Sequence, residues 1–117
     1  MPNGQDVVSA WYAAASSAER ASLDARMVYL RLQTRESWTR PSYDTLRDGV
    51  GEVRFKARRI NHRALGFFGP ERNHFCFLIF ATKTNVFDPR NAIETAVDRR
   101  AHIESGAASY VIVRKWG

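Results

Sequence analysis

Phe75-Cys76-Phe77-Leu78-Ile79-Phe80 is an unbroken apolar stretch, and it constrains the fold more than any other segment. It is far shorter than the ~20 residues needed to cross a bilayer. It is apolar on both faces of an extended strand, which suits a central strand covered on one side by helices. An earlier segment follows a different rule. In Val53-Arg54-Phe55-Lys56, apolar and basic side chains alternate. A strand sends successive residues to opposite faces, so Val53 and Phe55 enter the core while Arg54 and Lys56 face outward. Ile60–Phe68 reads as the strand between these two, with Arg58 and Arg59 near the turn leading into it. Gly69-Pro70 and Arg72-Asn73 make the next turn.

The first half reads as helical. Residues 6–15 place Val7, Trp11 and Ala14 near one face. Ser16-x-x-Glu19 has capping-box spacing, and Leu23, Met27 and Leu30 repeat at helical period through residues 17–32. Thr34–Ser42 is polar, aperiodic and holds Pro41, so it is expected to be loop, with Trp38 as a packing anchor. Tyr43–Leu46 suggests a short turn, and Gly49 and Gly51 break the chain. Asp88-Pro89 is expected to open a later helix, with Asp as cap and Pro at the first position. Ile93, Ala96, Val97, Arg100 and Ile103 continue it, and Gly106 ends it. Tyr110–Val113 reads as a last short strand. The expected order is α-α-β-β-β-α-β. This is an α+β fold: a small, mainly antiparallel sheet packed by two N-terminal helices and one later helix. The 117 residues make one domain, 1–117.

Charge is distributed unevenly. Residues 1–50 carry six basic and six acidic side chains, a net of zero; residues 51–117 carry twelve basic and six acidic, a net of +6. Fifteen of the eighteen basic residues are arginine, which forks onto phosphate and stacks on bases better than lysine does. A basic half-domain points to nucleic acid or to an acidic protein partner. The single cysteine, Cys76, allows no internal disulfide and sits between Phe75 and Phe77 as a core residue. The start MPNGQDVV lacks a basic segment followed by an apolar one, so no signal peptide is expected. The expectation is a cytoplasmic protein with no membrane partner.

His62, His74 and His102 are widely spaced and have no paired ligand pattern, so no metal is expected. Gly49-Val50-Gly51 lacks the following glycine and helix of a phosphate-binding loop, so no cofactor is expected either. What remains is a set of cations on neighbouring strands: Arg54, Lys56, Arg58, Arg59, Arg63, and Lys83 just past the apolar strand. Metal-free RNA cleavage requires a base for the 2′-hydroxyl, cations for the phosphorane and an acid for the leaving oxygen. Such a cation set serves the second task. The same residues also suit the solvated face of an amphipathic sheet, with Arg63 paired to an acid such as Glu52, Arg54 in a cross-strand charge pair and Lys83 in solvent.

Gly51-Glu52-Val53-Arg54-Phe55, followed by His62-Arg63, resembles a signature of the RelE/HigB toxin superfamily. Phe80-Ala81-Thr82-Lys83-Thr84 is similar to a second segment of that family. Pro89, then Ala92-Ile93-Glu94-x-Ala96 and Arg99-Arg100, resembles its closing helix, and the order matches across residues 50–104. The phage-derived, HigB-like group is the nearest branch. The resemblance implies a RelE-like fold with a concave basic face and metal-independent cleavage of mRNA, often on the ribosome. It also implies a cognate antitoxin that masks the site. By position, Arg54, Arg63 and Lys83 fall where the family places catalytic or phosphate-binding cations. His62 is a further catalytic candidate, and Lys56, Arg58, Arg59 and Tyr110 are candidate RNA contacts. Three positions depart from the pattern. Thr82 replaces the first lysine of a pair, His62 replaces an aromatic residue, and Glu52 stands where some active relatives carry lysine. The general base is open between His62, Lys56 and Tyr110. Two other functions fit the same fold: a gyrase-binding toxin of ParE type, and a phage-derived relative without the chemistry.

The charge distribution generates a measurable expectation. If RNA binds through about five phosphate contacts, the logarithm of its affinity should fall with the logarithm of salt concentration at a slope of roughly −3.5. A titration giving a slope near zero would remove the basic half as an RNA-binding surface.

Overall fold

A computed structural model describes residues 7–69 and 74–107. Two helices come first, α1 (Val7–Ala14) and α2 (Ser17–Arg31), followed by a 3-10 turn at Arg35–Ser37. Five strands follow: β1 (Tyr43–Thr45), β2 (Gly51–Ala57), β3 (Ile60–Phe68), β4 (Phe75–Lys83) and β5 (Phe87–Asp88). Helix α3 (Ala92–Glu104) comes after them. The strands lie in chain order in one sheet, each pair antiparallel. The fold is therefore α+β, as expected, with two short strands that sequence patterning does not reveal. Tyr43 is in one of these, pairing with Val53 where a turn is expected. The anticipated strand Tyr110–Val113 lies outside the described residues.

Helix α2 begins as its sequence dictates. The Ser16 hydroxyl accepts from the Glu19 amide at 3.2 Å, and the Glu19 carboxylate accepts from the Ser16 amide at 2.7 Å. This reciprocal pair satisfies two amides that a helix start leaves without partners. Helix α3 starts later than expected. Asp88 pairs with Thr82 as part of β5, so its backbone is committed to the sheet and cannot cap the helix. A turn through the Ala92 amide and the Pro89 carbonyl leads into the helix instead. Gly106, at φ +81°, takes the left-handed conformation that follows the helix end.

Both faces of the sheet are covered. On one face, Leu23, Met27 and Leu30 of α2 pack with Tyr43, Val53, Phe55 and Ala64. Trp11 of α1 stacks on Phe80, ring centroids 4.8 Å apart. Trp38 anchors the loop as expected: it packs against Tyr43, Phe68 and Phe75, and its indole N–H donates to the Leu30 carbonyl at 3.0 Å. On the other face, α3 brings Ala92 and Ala96 onto Leu65, Phe67, Leu78 and Ala81. The apolar run is thus covered by helices on two sides, not one. A bulge makes this possible. Leu65 pairs with Ile79 and Gly66 with Phe77, so Leu78 is the additional residue on β4. Phe75, Phe77 and Phe80 then face α1 and α2, while Cys76, Leu78 and Ile79 face α3. Gly66 is required here, because a Cβ would lie 2.2 Å from the Cys76 carbonyl oxygen.

The β2–β3 hairpin turns through Arg58 and Arg59, at φ 53° and 68°. Ala57 pairs with Ile60 across it, so the turn has two residues, both left-handed. Such turns favour Asn-Gly because a Cβ crowds the backbone in this conformation. Arginine at both positions holds the basic side chains at the tip against that local preference. The double substitution Arg58→Asn with Arg59→Gly is expected to raise unfolding free energy by about 1 kcal/mol in urea denaturation. A loss of stability would show that the arginines hold the tip in place.

Candidate nucleic-acid interface

The pairing of β2 with β3 sets Arg54 directly opposite Arg63, Lys56 opposite Asn61, and Glu52 opposite Leu65. The pleat sends these side chains to the face that α3 covers, at the part of the sheet left open beyond Leu65. Glu52 lies underneath, fully buried. Its Oε2 accepts from Arg54 Nε at 2.8 Å and lies 3.6 Å from Arg63 Nε. Two guanidinium groups are thereby held side by side over one carboxylate. In β1, Asp44 stands opposite Glu52 and adds a second anchor. It accepts from Arg40 at 2.9 and 2.7 Å and from Arg54 Nη2 at 3.3 Å. The Arg40 hydrogen bond holds the Asp44 carboxyl below the ordinary carboxylate range. Burial pulls the Arg63 guanidinium below the ordinary arginine value, opposed by Glu52.

A polar depression opens here, lined by Arg26, Pro41, Arg54, Phe55, Lys56, Asn61 and Arg63. Lys56 is exposed. Lys83 is two residues beyond Ala81, the partner of Arg63, and so shares this face by alternation. Its ammonium sits 4.6 Å from the Phe87 ring centroid. Arg58 and Arg59 are exposed at the hairpin tip that continues from Lys56 and Asn61. Four of the candidate cations, Arg54, Lys56, Arg63 and Lys83, thus share one face, with Arg59 and Arg58 at the hairpin tip beyond it, where the charge of Arg58 also acts on Glu19 of the opposite face. Arg26 and Asn61 join them without having been singled out in the sequence. Asn61 alternates with Arg63 and was legible on that ground. Arg26 comes from α2, where its hydrogen bond to the Ser42 hydroxyl holds it, and no local pattern announces that approach.

His62 is placed elsewhere. It points to the opposite face, 5% exposed, with its ring stacked on Phe55 at 5.0 Å. Its Nε2 lies 3.4 Å from the Glu19 carboxylate. The same alternation that brings Arg63 out turns His62 in, away from the arginine pair. Thr82, its partner on β4, shares that inner face. Tyr110 lies outside the described residues. Cys76 packs against the α3 core, and burial pushes its thiol up to about 11. Among the described residues, no three His, Cys, Asp or Glu side chains gather as metal ligands, and no helix is long and apolar enough to cross a membrane.

Burial pulls His62 below the ordinary histidine value, only partly offset by Glu19. The unfolded chain therefore takes up this proton first as pH falls through about 6.5, and stability declines from there until folded His62 also protonates. The melting temperature should fall as pH drops below about 6.5, and His62→Phe should flatten that fall while keeping a ring on Phe55. Parallel wild-type and variant profiles would show that His62 does not drive it.

Residues 10–101 match a protein-family model described as Phage derived protein Gp49-like (DUF891). No curated protein and no solved structure matches the chain.

Proposed function

The chain belongs to the Gp49-like family of phage-derived proteins, a RelE/HigB-type toxin family of toxin–antitoxin systems, and on that premise we propose that it is a HigB-like toxin that cleaves mRNA on the ribosome without a metal ion. The reading is carried by one observation: Arg54 and Arg63 face each other across β2 and β3, held by buried Glu52 beside Lys56 and Asn61. A guanidinium has five N–H donors. The carboxylate engages Nε of Arg54, which orients the fork and leaves donors for a phosphate. The transition state for attack by a 2′-hydroxyl carries more negative charge than the phosphodiester, so preoriented cations stabilise it selectively. Lys56 and Lys83 are the described amines on this face and the candidates for proton transfer. Arg58 and Arg59 extend the phosphate track. The protein works in the cytoplasm, and the antitoxin that its family suggests as a partner blocks RNA by covering the same cations with an acidic segment.

Glu52 also favours a second reading. Its buried charge offsets part of the arginine charge, which suits a non-catalytic surface that binds a protein, as in a gyrase-directed toxin, or a relative that has lost cleavage.

Lys83→Ala should lower single-turnover cleavage of ribosome-bound mRNA by on the order of 100- to 1000-fold and leave the melting temperature nearly unchanged. Arg63→Ala should lose cleavage and stability together, because it leaves Glu52 less compensated. Adding Glu52→Gln to it should restore the fold but not the rate. Full cleavage by Lys83→Ala, or by the double variant, would move the reaction off this face; absence of wild-type cleavage would favour the second reading.

A further inference from the structure

Helix α2 is apolar on two opposite sides. Leu23, Met27 and Leu30 are buried on the sheet. Ala21, Ala25, Val28 and Leu32 point the other way, falling within about 60° of arc at 3.6 residues per turn. All four are exposed, Val28 at 46% and Leu32 at 72%, with Tyr29 beside them at 53%. Single exposed apolar residues are ordinary on a monomer. Spacing of i, i+4, i+7 and i+11 is instead the pattern of a helix with a second packing partner.

The two ends of this stripe differ in size. Ala21 and Ala25 are small, whereas Val28 and Leu32 are large. Suppose a second α2 lies antiparallel across the stripe, on a two-fold axis midway between residues 26 and 27. Leu32 then meets Ala21 of the partner subunit, and Val28 meets Ala25 of the partner subunit; both pairs sum to 53, so one register satisfies both. Asp24, whose carboxylate accepts from the Tyr12 hydroxyl, and Arg31 lie on one flank of the stripe. In the same register, Arg31 comes within about 3 Å along the axis of the partner's Asp24, at 1.5 Å rise per residue. Size and charge are therefore both self-complementary.

We propose that the protein forms a two-fold antiparallel dimer through the outer stripe of α2. The stripe covers about 16 Å of helix, so the contact belongs among small interfaces with dissociation constants in the micromolar range or weaker. It lies on the far side of the sheet from Arg54 and Arg63, and pairing leaves both cation surfaces open. The inference is independent of whether RNA is cleaved.

Sedimentation equilibrium of the full chain, from about 1 µM to about 1 mM, should give a reversible monomer–dimer equilibrium. Leu32→Glu should weaken it by at least about tenfold and leave the melting temperature unchanged. Chains carrying Ala25→Cys, mixed with chains carrying Val28→Cys, should oxidise to the mixed disulfide in excess of either like pair. A chain that stays monomeric throughout this range overturns the proposal, as does a dimer indifferent to Leu32→Glu. Preferential 25–25 or 28–28 linkage also overturns it, and so does a monomer whose stripe is required only for binding an antitoxin helix.

Discussion

The carboxylate of Glu52, buried beneath two arginines, is the interaction on which the candidate site depends. A buried charge is tolerated only when it is paired, and breaking such a pair by removing one partner costs about 3–5 kcal/mol. The fold meets this demand through strand register. Arg54 and Arg63 are opposite one another because Ala57 and Ile60 close a two-residue hairpin, which leaves no freedom to slip. A slip of one residue would turn both arginines into the aromatic core and bring Phe55 and His62 to the surface. Hairpin, register and buried acid are therefore one device, and the guanidinium positions follow from it.

An ion pair formed under the surface restrains the arginines without covering them: Arg54 remains 25% and Arg63 15% exposed at the side chain. Asp44 and Arg40 extend the network toward the edge strand β1. A ligand approaching from the depression meets donors already oriented, so less side-chain entropy is lost on binding.

Much of this was legible in the sequence, for physical reasons that differ by element. The capping box at Ser16 and Glu19 is a local interaction, so four residues suffice to specify the start of α2. The alternation in Val53–Lys56 fixes which side chains leave the core, and the same rule, applied to His62 beside Arg63, places the histidine inside. Other features are non-local. Tyr43–Thr45 and Phe87–Asp88 become strands only because the longer strands offer them a partner edge. Asp88 followed by proline carries a helix-start signal, which pairing with Thr82 overrides. Arg26 reaches the depression from a helix far away in sequence. The partnership of Arg63 with Glu52 was one of two readings open in the sequence, and the structure contains the pair.

The bulge at Leu78 has a consequence for how this chain tolerates changes in length. Elsewhere in the sheet, loss of a single residue inverts every side chain beyond it, moving apolar groups to water. In β4 the segments on either side of Leu78 already hold compatible parity, with Phe77 on Gly66 and Ile79 on Leu65. Deleting Leu78 would join them into a regular ladder with each remaining side chain on its present face. The loss would be confined to one core leucine and to the carbonyl that receives Arg99 at 2.7 Å. The most apolar of the described strands is thus also one that can lose a residue without inverting the sheet.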